Sequence, residues 1–206
     1  MTWFRMLISN LAVAFFAVLA PSAAQTIPAA TGPIQHPYPF TIGGGASDLN
    51  VDWSRSRMLG VAMWVDWHPK VLLRSLDGLG VEVEGRDLDF DRPSQLASGY
   101  RQDTLGGGVI YTYRHFSKVR PFGKFLIDYG RLNYGYGQIA TATVRAPAFG
   151  FEYRAINRLW VRADYEYQIW PNLLNGIFPG YTGKSLDPQG FTLGVSYDFR
   201  RVRLFP

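Results

Sequence analysis

The stretch GFTLGVSYDF, residues 190–199, constrains this chain more than any other. Phe191, Leu193, Val195, Tyr197 and Phe199 alternate with Thr192, Gly194, Ser196 and Asp198. A period of two puts one set on each face of an extended strand. Such a strand has one apolar and one polar face, and it must bury or bathe each of them. In a soluble barrel the apolar face fills the interior. In a membrane barrel it faces lipid.

The same period recurs upstream and predicts seven more strands. They cover Pro39–Leu49, Arg57–His68, Gly78–Phe90, Asp103–Arg114, Arg120–Tyr134, Thr143–Arg154 and Leu159–Trp170. In the third, Leu79, Val81 and Val83 alternate with Gly80, Glu82 and Glu84, but Leu88 and Phe90 fall on the other phase. A bulge near Gly85 is expected to absorb that slip. The connections alternate too. Those from strand four to five and from six to seven are short. Those from three to four, five to six and seven to eight are longer and rich in Gly, Ser, Asn and Pro. The link Pro69–Gly80 departs from this order, with room for a helical turn at a membrane surface. The expected fold is all-β: an eight-stranded antiparallel up-and-down transmembrane β-barrel over residues 38–199.

The two phases differ in charge. The polar phase carries Asp66, Glu82, Glu84, Arg114, Lys124, Asp128, Glu152, Arg154, Arg162, Asp164, Glu166 and Asp198. The other phase carries almost none. Alternation alone fits a soluble barrel as well, so three further features decide. Aromatics gather near strand ends: Trp64, Trp67, Trp160, Trp170, Tyr111, Tyr113, Tyr129, Tyr134, Tyr153 and Phe199. Tyr and Trp favour membrane interfaces, where the ring meets hydrocarbon and the polar atom meets water. The polar phase also mixes glycine with charges of both signs, as a narrow eight-stranded lumen filled by side chains requires. Ions buried there must pair, so the charged residues are expected to form a lumen ion-pair network.

The third feature is the N-terminus. Arg5 precedes an apolar run, Leu11–Ala20, then Pro21 and Ser22-Ala23-Ala24. This is the pattern of a secretory signal peptide over residues 1–24, cleaved after Ala24. The run is shorter than the ~20 apolar residues of a spanning helix. Residues 25–37 are polar and Pro-rich, and read as a flexible segment. Residues 200–206 form a basic tail. Cysteine is absent, which excludes a disulfide framework or a thiolate metal site. The net charge of +5 comes from scattered residues, not a nucleic-acid-binding cluster.

Thr192-x-Gly194-x-x-Tyr197-x-Phe199 resembles the C-terminal signal read by the outer-membrane assembly machinery: polar, any, Gly, any, any, aromatic, any, aromatic. The tail after Phe199 departs from clients that end at the last aromatic. More broadly, YPFTIGGG (38–45), GLGVEVEGRDL (78–88), DTLGGGVIYTY (103–113), LWVRADYEYQIWP (159–171) and DPQGFTLG (187–194) resemble the small outer-membrane β-barrel superfamily of OmpA, OmpX and opacity type. The stretches look like an uncharacterised branch of it. The resemblance implies a cell-outer-membrane protein with periplasmic termini and four outward loops. Its partners would be outer-membrane lipid and the assembly machinery.

Other motifs have plainer readings. The triplets Gly43–Gly45 and Gly106–Gly108 lack the Lys-Ser/Thr and helix of a phosphate loop, and in strands glycine relieves crowding. Asp87, Asp89 and Asp91 lack the turn and distal Glu of a calcium loop, and read as a solvated strand end. His115-x-Ser117 is similar to the His-x-Ser of PagL-type lipid A deacylases, but the region of that family's Glu holds Asp128 and Tyr129. The expected role is structural or surface-interacting, with a plugged polar lumen, no cofactor and no catalytic residue. The alternatives are a small pore, a lipid A-modifying enzyme and a soluble lipocalin-like carrier. The surface ligand is not readable from loop composition.

Overall fold

The computed structural model describes residues 40–50, 57–69, 78–89, 100–134, 139–171, 173 and 185–199. All lie within the unit Pro37–Pro206. The eight strands are β1 (Phe40–Asn50), β2 (Arg57–Trp67), β3 (Leu79–Asp89), β4 (Tyr100–Thr112), β5 (Val119–Tyr134), β6 (Ile139–Ile156), β7 (Leu159–Tyr167) and β8 (Gln189–Phe199). Each pairs antiparallel with its sequence neighbour, and β1 closes on β8, so the sheet is a barrel. Closure pairs every strand on both sides and removes the sheet edges. Phe40 lies opposite both Trp67 and Phe199, which sets the end of the barrel carrying its own termini, the start of β1 and the end of β8.

The alternation read from sequence is the alternation of the wall. Leu59, Val61, Met63 and Val65 face outward, and Met63 is 67% exposed. Met58, Ala62, Trp64 and Asp66 face inward. The outward set continues around the barrel through Val83, Leu105, Ile127, Phe149, Phe151, Leu193 and Val195. Leaving this much apolar surface against water would forgo about 25 cal/mol per Å². Against hydrocarbon it costs nothing. Towards the end with the termini the belt finishes in Phe40, Trp67, Tyr153, Tyr197 and Phe199, and at the other end in Tyr129 and Phe191. Tyr197 and Phe199 pack edge to face, with centroids 5.0 Å apart.

Three sequence expectations need correction. The β3 ladder runs unbroken through Gly85, which pairs with Met63 on one side and Leu105 on the other. There is no bulge at that point, and Leu88 faces inward because the surroundings change instead. At that height the outer wall carries Asp87 bonded to Arg101 (2.7 and 3.0 Å) and Asp48 bonded to Arg57. The inside holds an apolar cluster of Leu49, Met58, Leu88, Leu132, Val144, Trp170, Leu173 and Leu186. The rule for a soluble protein returns where the wall leaves the lipid. The register irregularity falls at Arg154/Ile156, beside the tight turn in which Arg158 adopts a positive φ of 82°.

Secondly, the link from β5 to β6 is not long. The two strands run up to Tyr134 and down from Ile139. Thirdly, Trp64, Trp160 and Trp170 are not interface residues. All three are buried inside, and only Trp67 of the four tryptophans expected in the belt faces outward. Glycine makes the room. A Cβ at Gly43 or Gly194 would strike the Trp64 ring, and one at Gly130 would strike Trp170.

The expected signal peptide, residues 25–37, most of the Pro69–Gly80 link, Phe90, Asp91 and the 200–206 tail lie outside the described residues. Among the described residues no helix is long and apolar enough to cross a membrane.

Candidate functional site: a filled lumen

The lumen is organised in layers. At the end with the termini, Asp198 is the hub. It accepts from Thr41 Oγ1 (2.8 Å), Trp160 Nε1 (3.0 Å) and Arg120 (3.3 Å). The Arg120 and Arg154 guanidinium groups lie over the Trp160 ring at 3.6 and 4.8 Å, and Glu152 sits 3.9 Å from Arg120.

One level up, Arg162 occupies the centre with no exposure. It donates to Glu82 (2.7 Å), Asp164 (3.2 Å) and Asp66 (3.4 Å). Its flat faces meet Phe122 at 4.3 Å and Trp64 at 4.7 Å. A planar cation with donors around its edge and two flat faces suits such a site, whereas a lysine ammonium would lack the faces that meet the two rings.

The third level holds two cations among three glutamates. Lys124 Nζ donates to Glu82 (2.8 Å) and Glu84, and lies 3.8 Å from Glu166. Arg86 donates to Glu84 (2.5 Å), to both oxygens of Glu166, and to Thr192 Oγ1 (3.3 Å). Thr192 in turn meets Ser47 at 2.8 Å. Above this level the charges give way to amides. Gln168 donates to Glu166 (2.8 Å) and accepts from Gln102 (2.7 Å) and from the Trp170 indole (2.9 Å). Trp170 is thus the junction: its N–H closes the polar column and its ring enters the apolar cluster.

Residues 9–199 match the family described as the outer membrane protein beta-barrel domain. The chain belongs to that family. Membership places it in the outer membrane. No curated protein matches the sequence. Among solved structures, Neisserial surface protein A (NspA) is similar with a TM-score of 0.58 at 16% identity, covering 78% of this chain and 97% of NspA. Ail, the attachment invasion locus protein of Yersinia pestis, aligns with a TM-score of 0.50 at 15% identity, covering 78% of this chain and 96% of Ail. At these identities the likeness is one of fold: an eight-stranded outer-membrane barrel.

Of the residues expected to form the network of this outer-membrane barrel, Glu82, Glu84, Lys124, Arg162, Asp164 and Glu166 meet in one contiguous cluster. Glu152, Arg154 and Asp198 belong to the layer around Trp160. Arg114 lies half-buried beyond the end of β4. Asp128 faces the lumen against Gly106, makes no salt bridge among the described residues, and its Oδ1 has no hydrogen-bond partner. Arg86 went unrecognised because the expected bulge at Gly85 disguised its phase. The unbroken series Gly80, Glu82, Glu84, Arg86 was the signal that could have found it. Trp64 and Trp160 likewise share a phase with charged residues. Of the positions expected to form an assembly signal, Thr192 and Gly194 face the lumen, while Tyr197 and Phe199 face outward.

Proposed function

We propose that this protein is a closed, non-conducting outer-membrane barrel whose role is to hold its outward end rigid for contact with partners. One observation carries this reading. The lumen is filled in sequence by ion pairs, amides and an apolar stopper, with Trp170 joining the last two. Export by the 1–24 leader, insertion through the Thr192, Gly194, Tyr197 and Phe199 signal, and a lipid-facing belt all belong to the same reading. The termini would then be periplasmic.

The role is non-enzymatic. His115 stacks on Tyr113 (4.8 Å between centroids, 13° between planes) in the short link from β4 to β5, at the end with the termini. Asp128, in the region that would supply an orienting acid, is buried inside the lumen, and Tyr129 faces outward.

Single-channel recording in planar bilayers tests the closed barrel. The expected record is free of conductance steps. Large, stable openings would replace this reading with a pore.

A further inference from the structure

The two ends of the wall differ in exposed charge. At the outward end Asp48, Asp87 and Asp103 are accessible, and each is bonded to Arg57 or Arg101. At the end with the termini every carboxylate among the described residues is inside: Asp66, Glu82, Glu152 and Asp198 are all buried. The cations there are not all inside. The turn from β4 to β5 carries Lys118, which is exposed, and the turn from β6 to β7 carries Arg158, which is half-buried. Neither stretch, 113–118 or 155–158, contains an acidic residue. By sequence, the link after β2 adds Lys70 and Arg74 against Asp77, and the tail adds Arg200, Arg201 and Arg203. The excess of positive charge is thus gathered at one end.

Two contacts fix where Arg158 points. Its carbonyl accepts from the Asp198 N–H (2.9 Å), which clamps the turn to β8. Its Nη1 donates to the Tyr197 hydroxyl at 3.4 Å. Tyr197 faces outward among the aromatics that end the lipid belt. The guanidinium therefore lies on the outer wall, at the level where hydrocarbon gives way to headgroups. The Lys118 carbonyl accepts from the Arg154 N–H (2.8 Å), which sets the first turn beside the second. Phe116 and Ile156, at the tips of the same two hairpins, are 57% and 67% exposed. This side of the rim joins cations to exposed apolar side chains.

We propose that the rim from Lys118 across to Arg158 and Tyr197 binds the headgroup phosphate of an anionic phospholipid. The ligand class follows from position and charge. An anion that meets a guanidinium on the outer wall, at the foot of an apolar belt, must be anchored in the membrane. Tyr197 accepts from Arg158, so its own O–H is left to donate to a phosphate oxygen. A phosphate diester can take both donors at once. A zwitterionic headgroup would bring its ammonium among cations with no exposed carboxylate beside them among the described residues, so a headgroup of net negative charge is favoured. The inner leaflet as the source of that lipid rests on the periplasmic termini of the reading above. The headgroup site itself goes beyond it.

The test uses the full protein folded in micelles of an uncharged detergent, with lipid-bound states resolved by native mass spectrometry. The probes are dioleoyl phosphatidylglycerol and dioleoyl phosphatidylcholine, which share chains and a phosphate and differ in net charge. The first phosphatidylglycerol should bind about tenfold or more tightly than the first phosphatidylcholine. Lys118→Gln and Arg158→Asn should each weaken phosphatidylglycerol by about three- to fivefold and leave phosphatidylcholine unchanged. Asparagine tolerates the positive φ at position 158, and both variants should keep the mobility of a folded barrel in cold SDS. Tyr197→Phe should cost about two- to threefold. Arg57→Gln with Arg101→Gln, at the outward end, should cost nothing.

Equal affinity for the two lipids, or an equal loss from the outward pair, overturns the site. Inorganic phosphate should not displace the bound lipid. Displacement would make this a site for soluble anions and overturn the lipid as its ligand. An epitope tag at the C-terminus, reached by antibody only after the outer membrane is opened, supports the inner leaflet. A tag reached on intact cells overturns that leaflet and the periplasmic termini together, without touching the headgroup preference. A conducting barrel that keeps the preference would sink only the closed-lumen reading, and a silent barrel without it only this inference.

Discussion

The lower and upper halves of the lumen obey opposite rules. Below Gln168 the inside is ionic and the outside apolar. Around Leu88 and Trp170 the inside is apolar and the outside ionic, as with Asp87–Arg101 and Asp48–Arg57. One strand carries both: β3 places Glu82 and Glu84 inside, then Leu88 inside and Asp87 outside, with no change of register. What changes is the solvent. Against lipid, an apolar residue gains nothing by turning inward, so the interior can be polar provided each group is bonded. Against water, the hydrophobic effect again drives apolar groups to the centre.

The comparison can be broken at its ionic half first. Arg162→Met strands Glu82, Asp66 and Asp164 without their shared cation, and should cost about 3–5 kcal/mol in urea unfolding from lipid vesicles. A loss below about 1 kcal/mol would mean that the column is not held by this residue. The apolar half predicts a smaller loss. Leu88→Ala removes packing from the stopper and should cost about 3 kcal/mol by the same measurement. A neutral result would show that the stopper is not a packed core. The outer wall sharpens the contrast. Met63→Arg puts a charge into the lipid belt and should cost about 2–4 kcal/mol. Asp89→Arg, on the same outward face but above the belt, should stay within about 0.5 kcal/mol. Equal costs at the two positions would remove the boundary between halves.

Much of this was legible in the chain. Eight alternating segments fix which residues share a face, and the phase of Glu82, Lys124, Arg162 and Asp164 marks them as lumen residues. Trp64 and Trp160 were misplaced because aromatic chemistry was weighed above phase. Their phase was correct, and Gly43 and Gly194 supply the space for Trp64. Leu88 looked like a slip of register because a strand's pattern was read against one environment when it passes through two.

The sequence by itself determined the strand count, the alternation and the sign of each lumen residue, because a period of two is a local property of the backbone. Only the tertiary structure decided which ions meet. Arg86 and Glu166, or Lys124 and Glu82, come from strands that are not neighbours, and their contact depends on barrel closure and strand stagger.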